Sequence, residues 1–183
     1  IEQLIKDGTL TKEFYNLQAK SLPLDRNLYL HQEESILKIC KEKRNIVVAT
    51  GTGSGKTEAF MIPILNYLLQ QKCENKLTPG VRALLLYPMN ALANDQIKRL
   101  RELLKNCPDI TFGIYTGETE EKYQAGFEKY ERMYQQKPLP NELISREQMK
   151  ANPPHILLTN YAMHEYPMLR PADNVFFQGI YSK

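Results

Sequence analysis

The feature that most constrains this chain is Gly51-Thr52-Gly53-Ser54-Gly55-Lys56-Thr57, set between a β-branched run and a long apolar segment. Asn45-Ile46-Val47-Val48-Ala49-Thr50 reads as a short buried strand, and the residues from Lys56 to about Gln71 read as a helix. Pro63 inside that segment predicts a kink or an early break. A strand that runs through three glycines and restarts as a helix implies a tight backbone curl, because glycine enters left-handed conformations at no steric cost. Successive N–H groups then point at one anion, and the helix N-terminus adds partial positive charge. In such a loop Lys56 is the point charge for the β- and γ-phosphates, and the Thr57 hydroxyl is a Mg²⁺ ligand. The strict form of the pattern has Gly at position 50, where this chain has Thr50. The competing reading is a Gly/Ser-rich strand–helix turn with an incidental Lys, and the flanking strand and helix argue against it.

The rest of the chain repeats the alternation. Arg82–Tyr87, Ile110–Tyr115 and His155–Thr159 are short apolar runs and read as strands. Leu28 to Lys43 and Asn90 to Lys105 carry helical periodicity, and Thr11 is the expected N-cap of a short helix before them. Residues 118–150 are rich in Glu, Lys, Gln and Tyr and read as a charged insert, a helix followed by a loop at Pro138-Leu139-Pro140. Asn160 to Arg170 reads as a short helix. Strands alternating with helices, with continuous apolar strands, indicate an α/β layer fold: a mostly parallel sheet flanked by helices, with ligands at the carboxyl ends of the strands. Residues 1–27 form a lead-in segment and 28–183 the main domain.

Composition bounds the function classes. With 183 residues, 42% hydrophobic and 25% charged, the chain is sized for one domain with its own core. No apolar stretch approaches the roughly 18 residues of a membrane-spanning helix, so no membrane partner is expected. Cys40, Cys73 and Cys107 are scattered, which excludes a disulfide framework or a zinc site and suits a cytoplasmic protein. A net charge of +3 neither demands nor forbids nucleic acid. His31, His155 and His164 share no ligand spacing and read as structural, with His31 close enough to Gln32 to lie near a nucleotide. Tyr123, Tyr130 and Tyr134 with their Lys and Arg neighbours either stack on bases or cover the sheet as a solvated helix, and the second reading is preferred.

Taken in order, these stretches resemble the first RecA-like domain of a DEAD/DEAH-box superfamily 2 helicase, over roughly residues 28–171. Ala49–Thr57 resembles motif I, and many helicase loops tolerate another residue at position 50. Leu28-Tyr29-Leu30-His31-Gln32 resembles the Q-motif region. Pro88-Met89-Asn90-Ala91-Leu92-Ala93-Asn94-Asp95-Gln96 is similar to motif Ia, Tyr115-Thr116-Gly117-Glu118-Thr119 to the turn that follows it, and Thr159-Asn160-Tyr161 to motif Ib. The stretch Asn152–Tyr161 with Glu165-Tyr166 and Leu169-Arg170-Pro171 looks like large multidomain bacterial helicases. The resemblance implies a RecA-like P-loop NTPase fold with ATP and Mg²⁺ as cofactors. Gln32 would read the adenine edge, since an amide both donates and accepts, and Tyr29 would pack on the ring. Thr52, Gly53, Ser54, Gly55, Lys56 and Thr57 would hold the phosphates. Lys56 and Thr57 would be the catalytic pair. Pro88, Asn90, Gln96, Thr116, Gly117, Thr159 and Asn160 would hold the backbone of DNA or RNA without reading sequence. Asn90 stands where the simplest DEAD-box proteins carry Arg, so that contact would be uncharged.

The family also needs motif II, an apolar strand followed by Asp-Glu. Asp95, Asp109 and Asp173 follow no such strand. The expectation is a truncated motor domain, ending before motif II and lacking the second RecA-like domain that would be its partner in the parent chain. The isolated chain is expected to bind nucleotide weakly, without useful hydrolysis. Two rivals remain at this level. A different P-loop enzyme such as a kinase would leave Pro88–Gln96 and Tyr115–Thr119 unexplained, and a non-catalytic module binding nucleic acid or protein would need no carboxylates.

Overall fold

A computed structural model describes residues 1–161, 163 and 176. The chain divides into two compact units, Ile1–Lys76 and Leu77–Lys183.

The first unit is helical. Helix α1 (Glu2–Lys6) is followed by a 3-10 turn over Lys12–Asn16, then α2 (Leu30–Cys40) and α3 (Lys56–Cys73). Thr11 caps the 3-10 turn, its hydroxyl accepting from the Glu13 N–H as the sequence indicated. The segment 1–27 belongs to this unit's core, where Leu4, Leu10, Phe14 and Leu17 are buried. Asn66, a buried polar residue of α3, accepts from the Thr11 N–H at 2.8 Å and fixes that segment to the helix. Helix α3 runs through Pro63 rather than breaking there. The lost backbone bond is outweighed by Ala59, Met61, Ile62, Leu65, Leu68 and Leu69, all buried, at about 1.5–3 kcal/mol for each large aliphatic side chain.

One expectation fails in this unit. Residues 43–50 form no strand, and Val47 is 95% exposed. A β-branched run becomes a strand only when a neighbour takes its N–H and C=O groups, and no described strand pairs with it.

The second unit is built on a four-stranded parallel sheet of order β1-β4-β2-β3, made of β1 (Ala83–Tyr87), β2 (Phe112–Tyr115), β3 (Glu142–Leu143) and β4 (Ile156–Asn160). Strand β4 lies centrally, with Leu157 opposite Leu84 on one side and Gly113 on the other, and Ile156, Leu157 and Leu158 are buried. That is why these strands are continuous apolar runs rather than alternating ones. Helix α4 (Asn90–Leu104) packs on the sheet through Ala93, Ile97, Leu100, Leu103 and Leu104. Tyr115, Met149, Leu157 and Phe176 form a buried cluster, with Leu84 and Leu143 against it.

The charged insert is more ordered than its composition suggests. It contains α5 (Tyr123–Tyr134), the two-residue β3 and α6 (Arg146–Ala151), of which only the first helix was expected. Asn141 aims its buried amide at the Leu104, Cys107 and Ile110 carbonyls, satisfying the end of α4, while its own carbonyl accepts from the Phe112 N–H. Gly113 admits β3, since a Cβ there would stand 2.8 Å from the Leu143 carbonyl oxygen. Glu142 is buried against Arg101 at 2.7 Å, and the Tyr130 hydroxyl donates to its other oxygen at 2.9 Å. The Arg101 guanidinium also lies over the Tyr134 ring at 4.0 Å. Burial, reinforced by Glu142, pushes the Tyr130 phenol well above its ordinary value, so it stays a donor. Tyr130 is therefore committed to the fold. No helix among the described residues is long and apolar enough to cross a membrane.

The expected helix at Asn160–Arg170 lies mostly outside the described residues, as do His164 and Asp173.

Candidate functional site

The phosphate-type loop lies in the first unit, at the N-terminus of α3. Gly53 and Gly55 both take φ of 76°, so the backbone curls rather than extends. Gly55 is the residue from which α3 starts. The Lys56 ammonium folds back over this curl and donates to the carbonyls of Thr50 and Gly51, 2.8 Å from the first. The hydroxyls of Thr50 and Ser54 close the turn at 2.7 Å. Thr52 and Gly53 are exposed at its crest, and Thr57 lies half-buried in the first turn of α3. Two of the three ammonium N–H groups are held by these carbonyls, so a polyphosphate at this glycine loop and helix start would take Lys56 over from them.

Gln32 braces this loop. It is fully buried; its Nε2 donates to the Gly55 carbonyl at 2.7 Å and its Oε1 accepts from the Tyr29 N–H at 2.9 Å. The second bond covers a donor at the start of α2. The positive φ favours glycine at position 55, and a Cβ there would stand 2.5 Å from Gln32 Nε2, so any other residue would also push the brace aside. Tyr29 is exposed and its ring stacks on His31 at 5.8 Å between centroids. Behind the loop, Arg26 pairs with the buried Glu58 at 3.2 Å, which anchors the first turn of α3. Neither residue was singled out from sequence, because the partners are 32 positions apart.

The second group of candidates lies in the other unit, at the carboxyl ends of three adjacent parallel strands. Pro88 and Asn90 follow β1, Thr116 and Gly117 follow β2, and Thr159 and Asn160 end β4. Register brings them together: Tyr87 faces Asn160, and Tyr115 faces Thr159. Side chains complete the link. Asn160 Nδ2 donates to Asn90 Oδ1 at 2.7 Å, and Asn90 Nδ2 donates to the Glu118 carboxylate at 2.9 Å. Asn160 Oδ1 in turn accepts from the Met163 N–H at 2.7 Å.

The hydroxyls are used internally. Buried Thr159 donates to the Tyr115 carbonyl at 2.6 Å and ties β4 to β2. Buried Thr116 accepts from the Glu118 N–H, and its carbonyl accepts from Arg146 at 3.0 Å. Gly117 and Pro88 are exposed, and Gln96 lies half-buried within α4. Glu118 and Arg146 were not picked out from sequence as site residues. Glu118 was legible only as part of the turn, and Arg146 as one charge among many in the insert.

Comparison with known proteins bears on the family of the chain. The DEAD/DEAH box helicase family model matches residues 29–163. The Druantia protein DruE of Escherichia coli is 29% identical, with 88% of this chain and 13% of that protein covered. The ATP-dependent helicase Lhr-Core of Saccharolobus solfataricus is 28% identical, with 81% and 16% covered. The ATP-dependent RNA helicase DBP9 of Debaryomyces hansenii is 34% identical, with 55% and 18% covered. The chain thus spans less than a fifth of the length of these curated relatives. With the parallel sheet, the helices around it and the motifs in family order, the chain belongs to the DEAD/DEAH box helicase family.

Proposed function

We propose that this chain is the ATP-binding part of a motor domain in an ATP-dependent helicase or translocase that acts on DNA or RNA. The observation that carries the reading is the curled Gly51–Thr57 loop with the Lys56 ammonium laid over its carbonyls. Loop N–H groups and Lys56 would take the phosphates, with Thr52, Gly53, Ser54 and Gly55 shaping the cradle. Thr57 would hold Mg²⁺, which when bound offsets phosphate charge. Tyr29 offers an exposed ring for the base. Gln32 lies between that ring and the loop, and its role on adenine would require one end of its amide to change partner. The turns of Asn90, Gly117 and Asn160 lie together at the carboxyl ends of three adjacent strands, where amides and main-chain groups suit sugar-phosphate backbone and not base sequence. Pro88 and Gln96 flank them, and Thr116 and Thr159 act by holding the turns. A second RecA-like domain of the parent protein is the proposed partner in turnover.

The test is titration of a fluorescent ATP analogue with Mg²⁺ against the chain and its Lys56→Ala variant. Loss of one charge-assisted phosphate contact is expected to weaken binding at least tenfold, on the order of 1.5–3 kcal/mol. Equal affinity would sink the phosphate-loop assignment. The chain alone should bind without turnover, because Asp95 lies in α4 and Asp109 precedes β2, leaving no Asp-Glu pair after a described strand. Nucleic-acid-stimulated ATP hydrolysis by these 183 residues would overturn that part.

A further inference from the structure

Glu118 stands out on the candidate nucleic-acid surface, because it is an acid where an anion is to be held. Its carboxylate accepts from Asn90 Nδ2 at 2.9 Å, and Asn90 is the polar side chain at the start of α4 that would otherwise be offered outward. The Asn90 amide is polarised in one direction: its oxygen accepts from Asn160 and its nitrogen is given to Glu118. The amides of the β4 and β1 turns are therefore linked in series, with a carboxylate of the β2 turn as the last acceptor.

Among the described residues, the two nearby cations pair with other groups. Lys129 donates to the Glu118 main-chain carbonyl and pairs with Glu120 at 3.0 Å. Arg146 lies on the Thr116 carbonyl and 3.9 Å from Glu121. Glu118 itself is exposed, so its charge faces the solvent from which a strand arrives.

We propose that Glu118 sets the affinity for strand phosphate: its carboxylate holds one of the two Asn90 amide hydrogens, and its negative charge opposes a phosphodiester that approaches the same amide. The proposal rests on the assignment of these turns to nucleic-acid backbone. The Asn90 amide nitrogen carries two N–H donors and gives one to Glu118, so a phosphate oxygen taken by the other would stand beside the carboxylate, charge against charge. The carboxylate is tethered to the turn and repels the incoming charge.

Glu118→Gln keeps an oxygen for the Asn90 amide and removes only the charge. Binding of labelled single-stranded oligothymidylate and oligouridylate to the chain would be followed by fluorescence anisotropy. At about 50 mM salt the variant should bind about fivefold tighter, and the ratio should shrink toward one at about 500 mM as screening shortens the reach of the charge. Asn90→Asp, which removes the donor and adds a second acid, should bind about fivefold weaker at low salt. If the parent chain binds and Glu118→Gln binds no tighter, the opposing role of the Glu118 charge is overturned. A change that is the same at both salt levels also overturns it, since that marks turn geometry and not charge. If no chain binds a strand at all, the assignment of these turns fails and this inference with it.

Discussion

Gln32 illustrates how one buried amide can serve both a helix and a loop. Its two ends are not interchangeable: the oxygen covers the Tyr29 N–H and the nitrogen reaches the Gly55 carbonyl. Gln32→Glu keeps the first contact and turns the second into an oxygen facing an oxygen. We expect a loss of about 1–3 kcal/mol in stability, the cost of a buried acceptor left without a donor, together with weaker binding in the nucleotide titration. Chemical denaturation checks it, and an unchanged midpoint would show that the amide is not a strut. The sequence pointed at Gln32 through its resemblance to the family's adenine-reading residue. The bond to Gly55 was not readable, since it spans 23 positions and depends on a left-handed backbone at the acceptor residue. Glu118 was hidden for a similar reason, its partner Asn90 being 28 positions away on another turn.

At the level of elements, His155 joins three parts of the second unit at the entrance to β4. Its Nδ1 accepts from the Thr111 N–H at 2.9 Å ahead of β2, and its Nε2 faces the Thr78 carbonyl at 3.2 Å ahead of β1. The neutral ring with hydrogen on Nε2 satisfies both contacts; a proton on Nδ1 would break the first. Burial lowers its pKa below the ordinary 6.5, and Arg82 acts in the same direction. The unfolded chain therefore takes up a proton before the folded one does. The contribution is complete above about pH 6.5 and is lost as pH falls through that value toward the folded pKa. We expect the thermal midpoint to drop between about pH 7.5 and about pH 5, and to drop less in His155→Gln. Parallel slopes for the two proteins would remove His155 from the account. The apolar runs that became β1, β2 and β4 were legible because a strand covered on both faces leaves a continuous signal. Strand β3 and helix α6 were not, for a two-residue strand has no period, and its place is set by Asn141 bonding across to the end of α4.

For the molecule as a whole, the α/β class and the order of its motifs were legible, whereas the pairing that would make a strand of residues 45–50 was not. Periodicity reports what a segment is suited for, and a strand exists only if another backbone accepts it. Ile46-Val47-Val48-Ala49 therefore remains a β-prone, uncharged run with Val47 almost fully exposed, and β1 is bonded on one side only among the described residues. Both are features that other chains can pair with. Val47→Lys places a charge in that run without touching any buried group. We expect less aggregation as concentration rises, with stability changed by no more than about 0.5 kcal/mol, as for surface substitutions generally. Light scattering and thermal denaturation on the same samples separate the possibilities. A clear fall in the midpoint would mean that Val47 is packed within a strand in solution, and the exposed arrangement of this segment would then be wrong.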